Sequence, residues 1–91
     1  MSDVAIKRQL RRAKQAAMKQ CTRMKYHIIK SDNSLFCFMA VRKMEIRMIR
    51  VIVGPIDERA CAEIKAFVPP TVCSKEIWCW VNGHFEIIEI S

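Results

Sequence analysis

The groups in this 91-residue chain that could do chemistry are mostly cations and thiols, and their spacing excludes more than it offers. Cys21, Cys37, Cys61, Cys73 and Cys79 are odd in number, and no pair has CxxC spacing. Secreted disulfide scaffolds pair their cysteines, so a reduced, cytoplasmic setting fits better. His27 and His84 stand alone, so no Cys/His zinc set is spelled out. A Cys37–His27 nucleophile would lack the third group that orients its base. The default for the thiols is therefore the role of a small hydrophobe. The cations are more telling. Arg8, Arg11, Arg12, Lys19 and Arg23 recur through the first segment, and Lys30 leads into the polar stretch Ser31-Asp32-Asn33-Ser34. Guanidinium, ammonium and hydroxyl donors of this kind contact phosphate without a metal.

A helix must carry the first set. Residues 3–24 contain no Gly or Pro, and Ile6, Leu10, Ala13, Ala17, Cys21 and Met24 recur at steps of three and four. Ser2 suits the cap position and Asp3 the first turn. The five cations fall away from that stripe, so the helix can bury one side on a sheet and hold out a charged side. Three strand-like runs follow at 26–30, 35–41 and 44–53, joined by short polar turns as in an antiparallel meander. In the third run Glu45 and Arg47 share a face with Ile49, Val51 and Val53, so the strand runs from an exposed rim into a core. Asp57 reads as an N-cap, and Ala60, Cys61, Ile64 and Phe67 give a second helix that Pro69-Pro70 ends. Asn82-Gly83 between two apolar runs is a hairpin turn. It sets Val81 opposite His84, Trp80 opposite Phe85 and Trp78 opposite Ile87, with the last four expected beneath a helix.

The whole reads as one domain, residues 1–91, with the apolar share of a folded protein. No run approaches a membrane span, and the basic N-terminus has no apolar signal core behind it. The net charge of +7 is uneven: +8 over residues 1–30, +2 over 31–54 and −3 over 55–91. A basic half on a folded domain favours a polyanionic partner, most often nucleic acid.

The order helix, three strands, helix, two-strand hairpin resembles the PD-(D/E)xK nucleases, and most closely the archaeal-type Holliday-junction resolvases. The likeness covers roughly residues 5–90 and includes the basic strand, the serine-containing loop, an apolar second strand and the ending Ser74-Lys75-Glu76-Ile77-Trp78-Cys79-Trp80 before the last turn. It implies an α/β, restriction-endonuclease-like core with a mixed sheet flanked by helices, DNA as partner through its phosphate backbone, and a homodimer. It also implies where catalysis would sit. An acid in the first helix, an aspartate on the second strand and an acid-x-Lys on the third hold a divalent metal and activate water. Here those places fall on Lys7-Arg8, on Cys37 and on Arg50-Val51-Ile52. A thiol, a guanidinium and a hydrocarbon are wrong for a hard cation, so the resemblance carries binding without a catalytic set. Lys30, Ser31 and Ser34 match phosphate-facing positions, and Arg50 could pair with phosphate directly.

Two other readings compete with DNA binding. In one, the chain is a metal-dependent endonuclease using Mg2+ or Mn2+ with migrated acids, for which Asp32 and Glu45 are the candidates. Glu63-Ile64-Lys65 and Pro55-Ile56-Asp57 imitate the motif, but they lie in the helix-plus-cap segment, with Glu63 expected on its exposed side. In the other, the chain is a non-catalytic subunit whose basic helix meets an acidic protein. The residues do not choose DNA over RNA, and with no metal site assigned, no cofactor is expected.

Overall fold

The computed structural model describes residues 3–31, 35–69 and 72–90. Its element order is α1 (Asp3–Arg23), β1 (His27–Lys30), β2 (Phe38–Arg42), β3 (Glu45–Val53), α2 (Glu58–Ala66), β4 (Ser74–Val81) and β5 (His84–Ile90). The strands form one sheet in chain order, antiparallel except where β3 and β4 run parallel. A parallel pair needs a crossover, and α2 supplies it. Among the described residues no helix is long and apolar enough to cross a membrane.

Alternation along the strands divides the core into two layers. On one side Phe38, Ala40, Ile49, Val51 and Trp78 meet Ala13, Ala17 and Cys21 of α1. These three helical residues are small and four apart, so the helix backbone can come close to the sheet beneath the large rings. On the other side Met48, Ile77 and Cys79 meet Ala60 and Ile64 of α2, with Phe36. Burying each large side chain contributes about 1.5–3 kcal/mol. Burial pushes the Cys21 thiol up to about 11 and raises Cys73 and Cys79, so these three remain neutral hydrophobes.

The cap at Asp57 forms as expected, its Oδ1 accepting the Arg59 N–H at 2.9 Å. The far end of α2 is closed by a strand residue. Lys75 is buried in β4 and donates from Nζ to the carbonyls of Ile64 and Phe67, both at 2.9 Å. Helix C-termini leave carbonyls without partners, and an ammonium there also opposes the helix dipole.

The hairpin register is the expected one, with Trp80 opposite Phe85 and Trp78 opposite Ile87. Burial of this row falls off toward the sheet edge. Trp78 is fully buried and Trp80 and Phe85 are half-buried, but Ile87 is 44% exposed. α1 lies chiefly over β1, β2 and β3, and of β5 it meets the turn end, where Phe85 packs against its cluster and Ile87 lies farther along the strand. Ile6, at the start of the α1 stripe, is 45% exposed for a similar reason: it lies ahead of the buried seam.

Two turns carry lysine where the backbone is left-handed. At the end of α1 the Tyr26 N–H reaches the Cys21 carbonyl and the Lys25 N–H reaches the Thr22 carbonyl, both at 3.0 Å. That is a Schellman closure with Lys25, φ 70°, in the position glycine favours. Lys43, φ 47°, opens the two-residue turn between β2 and β3. A left-handed residue bearing a Cβ costs roughly 1–2 kcal/mol.

One charged pair lies inside. Arg47 donates to Glu76 from Nε at 2.7 Å and from Nη2 at 2.6 Å, and Glu76 also accepts from Trp78 Nε1 at 3.0 Å and Ser74 Oγ at 2.9 Å. Burial pushes the Glu76 carboxyl up, but these donors and the Arg47 charge outweigh it and hold the group below its ordinary value. The resulting stabilisation is present at neutral pH and is lost as pH falls through the depressed value. Glu76→Ala, which strands the Arg47 charge, should cost about 3–5 kcal/mol in urea unfolding. Glu76→Gln should flatten the loss of melting temperature between about pH 7 and pH 3. Equal slopes in parent and variant would show that another group governs acid unfolding.

Candidate functional site

Where β2 begins, the strand departs from regular alternation. Phe36 and Met39 turn toward α2, whereas Phe38, Ala40 and also Cys37 turn toward α1. Neighbours 37 and 38 thus share a side, which a regular pleat forbids. The Cys37 sulfur lies between the strands, accepting the Val51 N–H at 3.4 Å and lying 3.9 Å from the Val51 carbonyl. The Cys37 N–H donates to the Ile49 carbonyl at 2.9 Å. The kink opens a crevice of about 400 Å³ between the start of α1 and the ends of β1, β2 and β3.

Cys37, Arg50, Val51, Ile52 and Ser31 all border this crevice. The three strand positions at which the resemblance places catalytic groups therefore meet around one space. They do not share one side of the sheet. Cys37 packs toward α1, while Ile52 joins the layer under α2 and Arg50 reaches Glu63 of α2 at 3.1 Å. In the register of β2 on β3, continued by one residue, Cys37 would stand opposite Arg50 and share its side. The kink removes it.

Several expectations need correction here. The α1 residues that reach the crevice are Ile6, Leu10 and Lys14 rather than Lys7-Arg8. Lys14 went unnoticed because it flanks the apolar stripe; its seven-residue step from Lys7 was the available signal. Glu63 is half-buried and binds both Arg50 and Arg59, so it is not a plain surface acid. Arg50 accordingly enters the crevice with its charge already shared. Glu45 is remote: it stands five residues before Arg50 on β3, roughly 17 Å along an extended strand. There it accepts from Tyr26 Oη at 2.7 Å and Arg42 Nη2 at 3.0 Å. Those bonds, Tyr26 first, hold its carboxyl below the ordinary value. Lys30 is exposed at the end of β1 but does not line the crevice. Asp32 and Ser34, and the Ser2 cap, lie outside the described residues.

The crevice residues do not fit a divalent metal. The described side chains offer a thiol, a hydroxyl, two cations and hydrocarbon, where magnesium or manganese needs several hard oxygens. Among the described residues no three His, Cys, Asp or Glu side chains gather anywhere.

Across the described residues the arginines and lysines separate into two populations. Arg42, Arg47, Arg50 and Arg59 each pair with a carboxylate. α1 holds seven lysines and arginines against one acid, and among the described residues none of the seven forms an ion pair. Arg8, Arg11, Arg12, Lys19 and Arg23 are all exposed. At 100° per residue, Arg8, Arg12, Lys19 and Arg23 cluster opposite the Ala13-Ala17-Cys21 seam.

Comparison with protein-family models, with curated proteins and with solved structures gave no match.

Glu63 is the lever on the crevice. Glu63→Gln leaves Arg50 uncompensated beside Lys14, so inorganic phosphate should raise the melting temperature of this variant more than that of the parent. An identical phosphate response would mean that Arg50 cannot face the crevice.

Proposed function

We propose that this chain is a non-catalytic DNA-binding protein with a resolvase-like, restriction-endonuclease-like core, holding its partner through the phosphate backbone. The observation that carries the reading is the unpaired cationic side of α1. The protein neutralises four arginines elsewhere with carboxylates, yet among the described residues Arg8, Arg11, Arg12, Lys19 and Arg23 are exposed and form no ion pair. Mutual repulsion on one helix costs stability, and a polyanion converts that cost into affinity. A 21-residue helix is about 32 Å long, close to one turn of duplex. The element order, the parallel β3–β4 pair and the meeting of Cys37, Arg50 and Ile52 around one crevice support the family likeness.

The same observations favour binding over cleavage. Metal-assisted hydrolysis needs converging carboxylates to hold the ion. Glu45 is committed to Tyr26 and Arg42 at the far end of β3, and Glu63 to Arg50 and Arg59. The crevice contributes Lys14 and a partly compensated Arg50, which suit a phosphate oxygen and repel a metal ion.

Gel shifts with junction, duplex and single-stranded DNA over a range of salt test this reading. Arg8→Ala/Arg12→Ala should weaken binding and reduce the logarithmic salt slope by about 1.8, near 0.9 for each phosphate contact. Unchanged affinity and slope would mean that α1 faces another partner, such as an acidic protein. The same DNAs should stay intact with magnesium or manganese; cleavage that Glu45→Ala or Asp32→Ala abolishes would establish a rearranged nuclease.

A further inference from the structure

The two left-handed lysines lie together. Lys25, at the close of α1, and Lys43, in the β2–β3 turn, line one shallow depression with Arg42, Met44 and Glu45. Their elements are tied to each other. Arg42 donates from Nη1 to the Met24 carbonyl at 2.9 Å and lies over the Tyr26 ring, 4.4 Å from its centroid. Both oxygens of Glu45, the acid of this depression, are engaged by Tyr26 and Arg42. Lys25 and Lys43 are exposed, and among the described residues neither forms an ion pair.

Positive φ at these two positions favours glycine or asparagine. The protein uses that solution at a third turn: the β4–β5 turn is Asn82-Gly83, with φ 52° and 80°. At the close of α1 and in the β2–β3 turn it places lysine instead. A backbone cost accepted at two neighbouring sites, and avoided at the third, marks the side chain as what those sites require.

We propose that Lys25 and Lys43 form a second phosphate-binding site, at the C-terminal end of α1, which lengthens the cationic track of the helix for a nucleic-acid backbone. It rests on the DNA-binding reading above and extends it to residues beyond the helix. The track then runs from Arg8 through Arg12, Lys19 and Arg23 to Lys25 and across to Lys43. Met44, 99% exposed beside Lys43, stands at its end.

Strain and binding predict opposite signs for one substitution, and that makes the test sharp. Lys25→Gly and Lys43→Gly should each raise the melting temperature by about 4 °C or more, because the left-handed cost disappears. Each should also weaken binding to duplex DNA and reduce the logarithmic salt slope by about 0.9. Lys25→Arg and Lys43→Arg, which keep charge and strain, should leave both quantities near the parent values. More stable glycine variants that bind DNA with parental affinity and slope would overturn the proposal. So would glycine variants that are no more stable than the parent, since lysine would then not be held against a cost. If Lys25→Gly and Lys43→Gly have no effect on binding while Arg8→Ala/Arg12→Ala does, only this site fails; if neither matters, the DNA reading fails with it.

Discussion

A carboxylate inside a small sheet must be neutralised where it lies, and Glu76 sets that condition for this protein. Four hydrogen bonds from Arg47, Trp78 and Ser74 converge on its two oxygens. Arg47 in turn lies over Tyr26 and Trp78, and Tyr26 binds Glu45, which holds Arg42. The network therefore spans β3, β4, the β2–β3 turn and the end of α1. It also fixes the parallel register, in which Arg47 stands beside Ser74 and Ile49 beside Glu76. A slip by one residue would turn Glu76 and Trp78 to the other layer and leave Arg47 without its partner. Among the described residues no buried side-chain nitrogen or oxygen lacks a hydrogen bond, so the network is complete as well as buried.

That completeness gives the outer charges their meaning. Inside the sheet and on α2, arginines are spent on carboxylates that hold the fold together. On α1 a seam of Ala13, Ala17 and Cys21 lets the helix lie close, which turns Arg8, Arg12, Lys19 and Arg23 fully outward. One helix thus has two tasks separated by its own circumference. Its buried side needs small residues and its outer side needs none of the core. Charge can accumulate there at little structural cost beyond mutual repulsion.

The crevice shows how one irregular residue redirects chemistry. A regular β2 would set Cys37 opposite Arg50, a thiol facing a guanidinium across the ladder. The kink instead seats the sulfur between strands, where it receives the Val51 N–H, and Arg50 turns to Glu63. What remains is a space bordered by Lys14, Ser31 and a shared arginine. Its electrostatics suit an anion, and they follow from placement more than from residue type.

The sequence by itself determined the elements and most of their pairing. Periods of 3.6 and 2, the Asp57 cap and the Asn82-Gly83 turn are local signals, so the helices, the meander and the hairpin register were legible from neighbouring residues. The division of α1 into a buried seam and a cationic side was legible for the same reason. Only the tertiary structure decided which distant groups meet. Glu63 looked exposed because nothing on α2 announces Arg50 across the layer, and Lys75 gave no sign that it would close α2 from another strand. Glu45 was separated from the crevice by the length of β3, and Lys14 was brought to it by the packing of α1 on the sheet. Lysines at left-handed turns were equally silent, since a positive φ at lysine is imposed by the chain ends it must join. Periodicity is written along the chain; the partner of a charge depends on the packing of layers, and no local pattern encodes that.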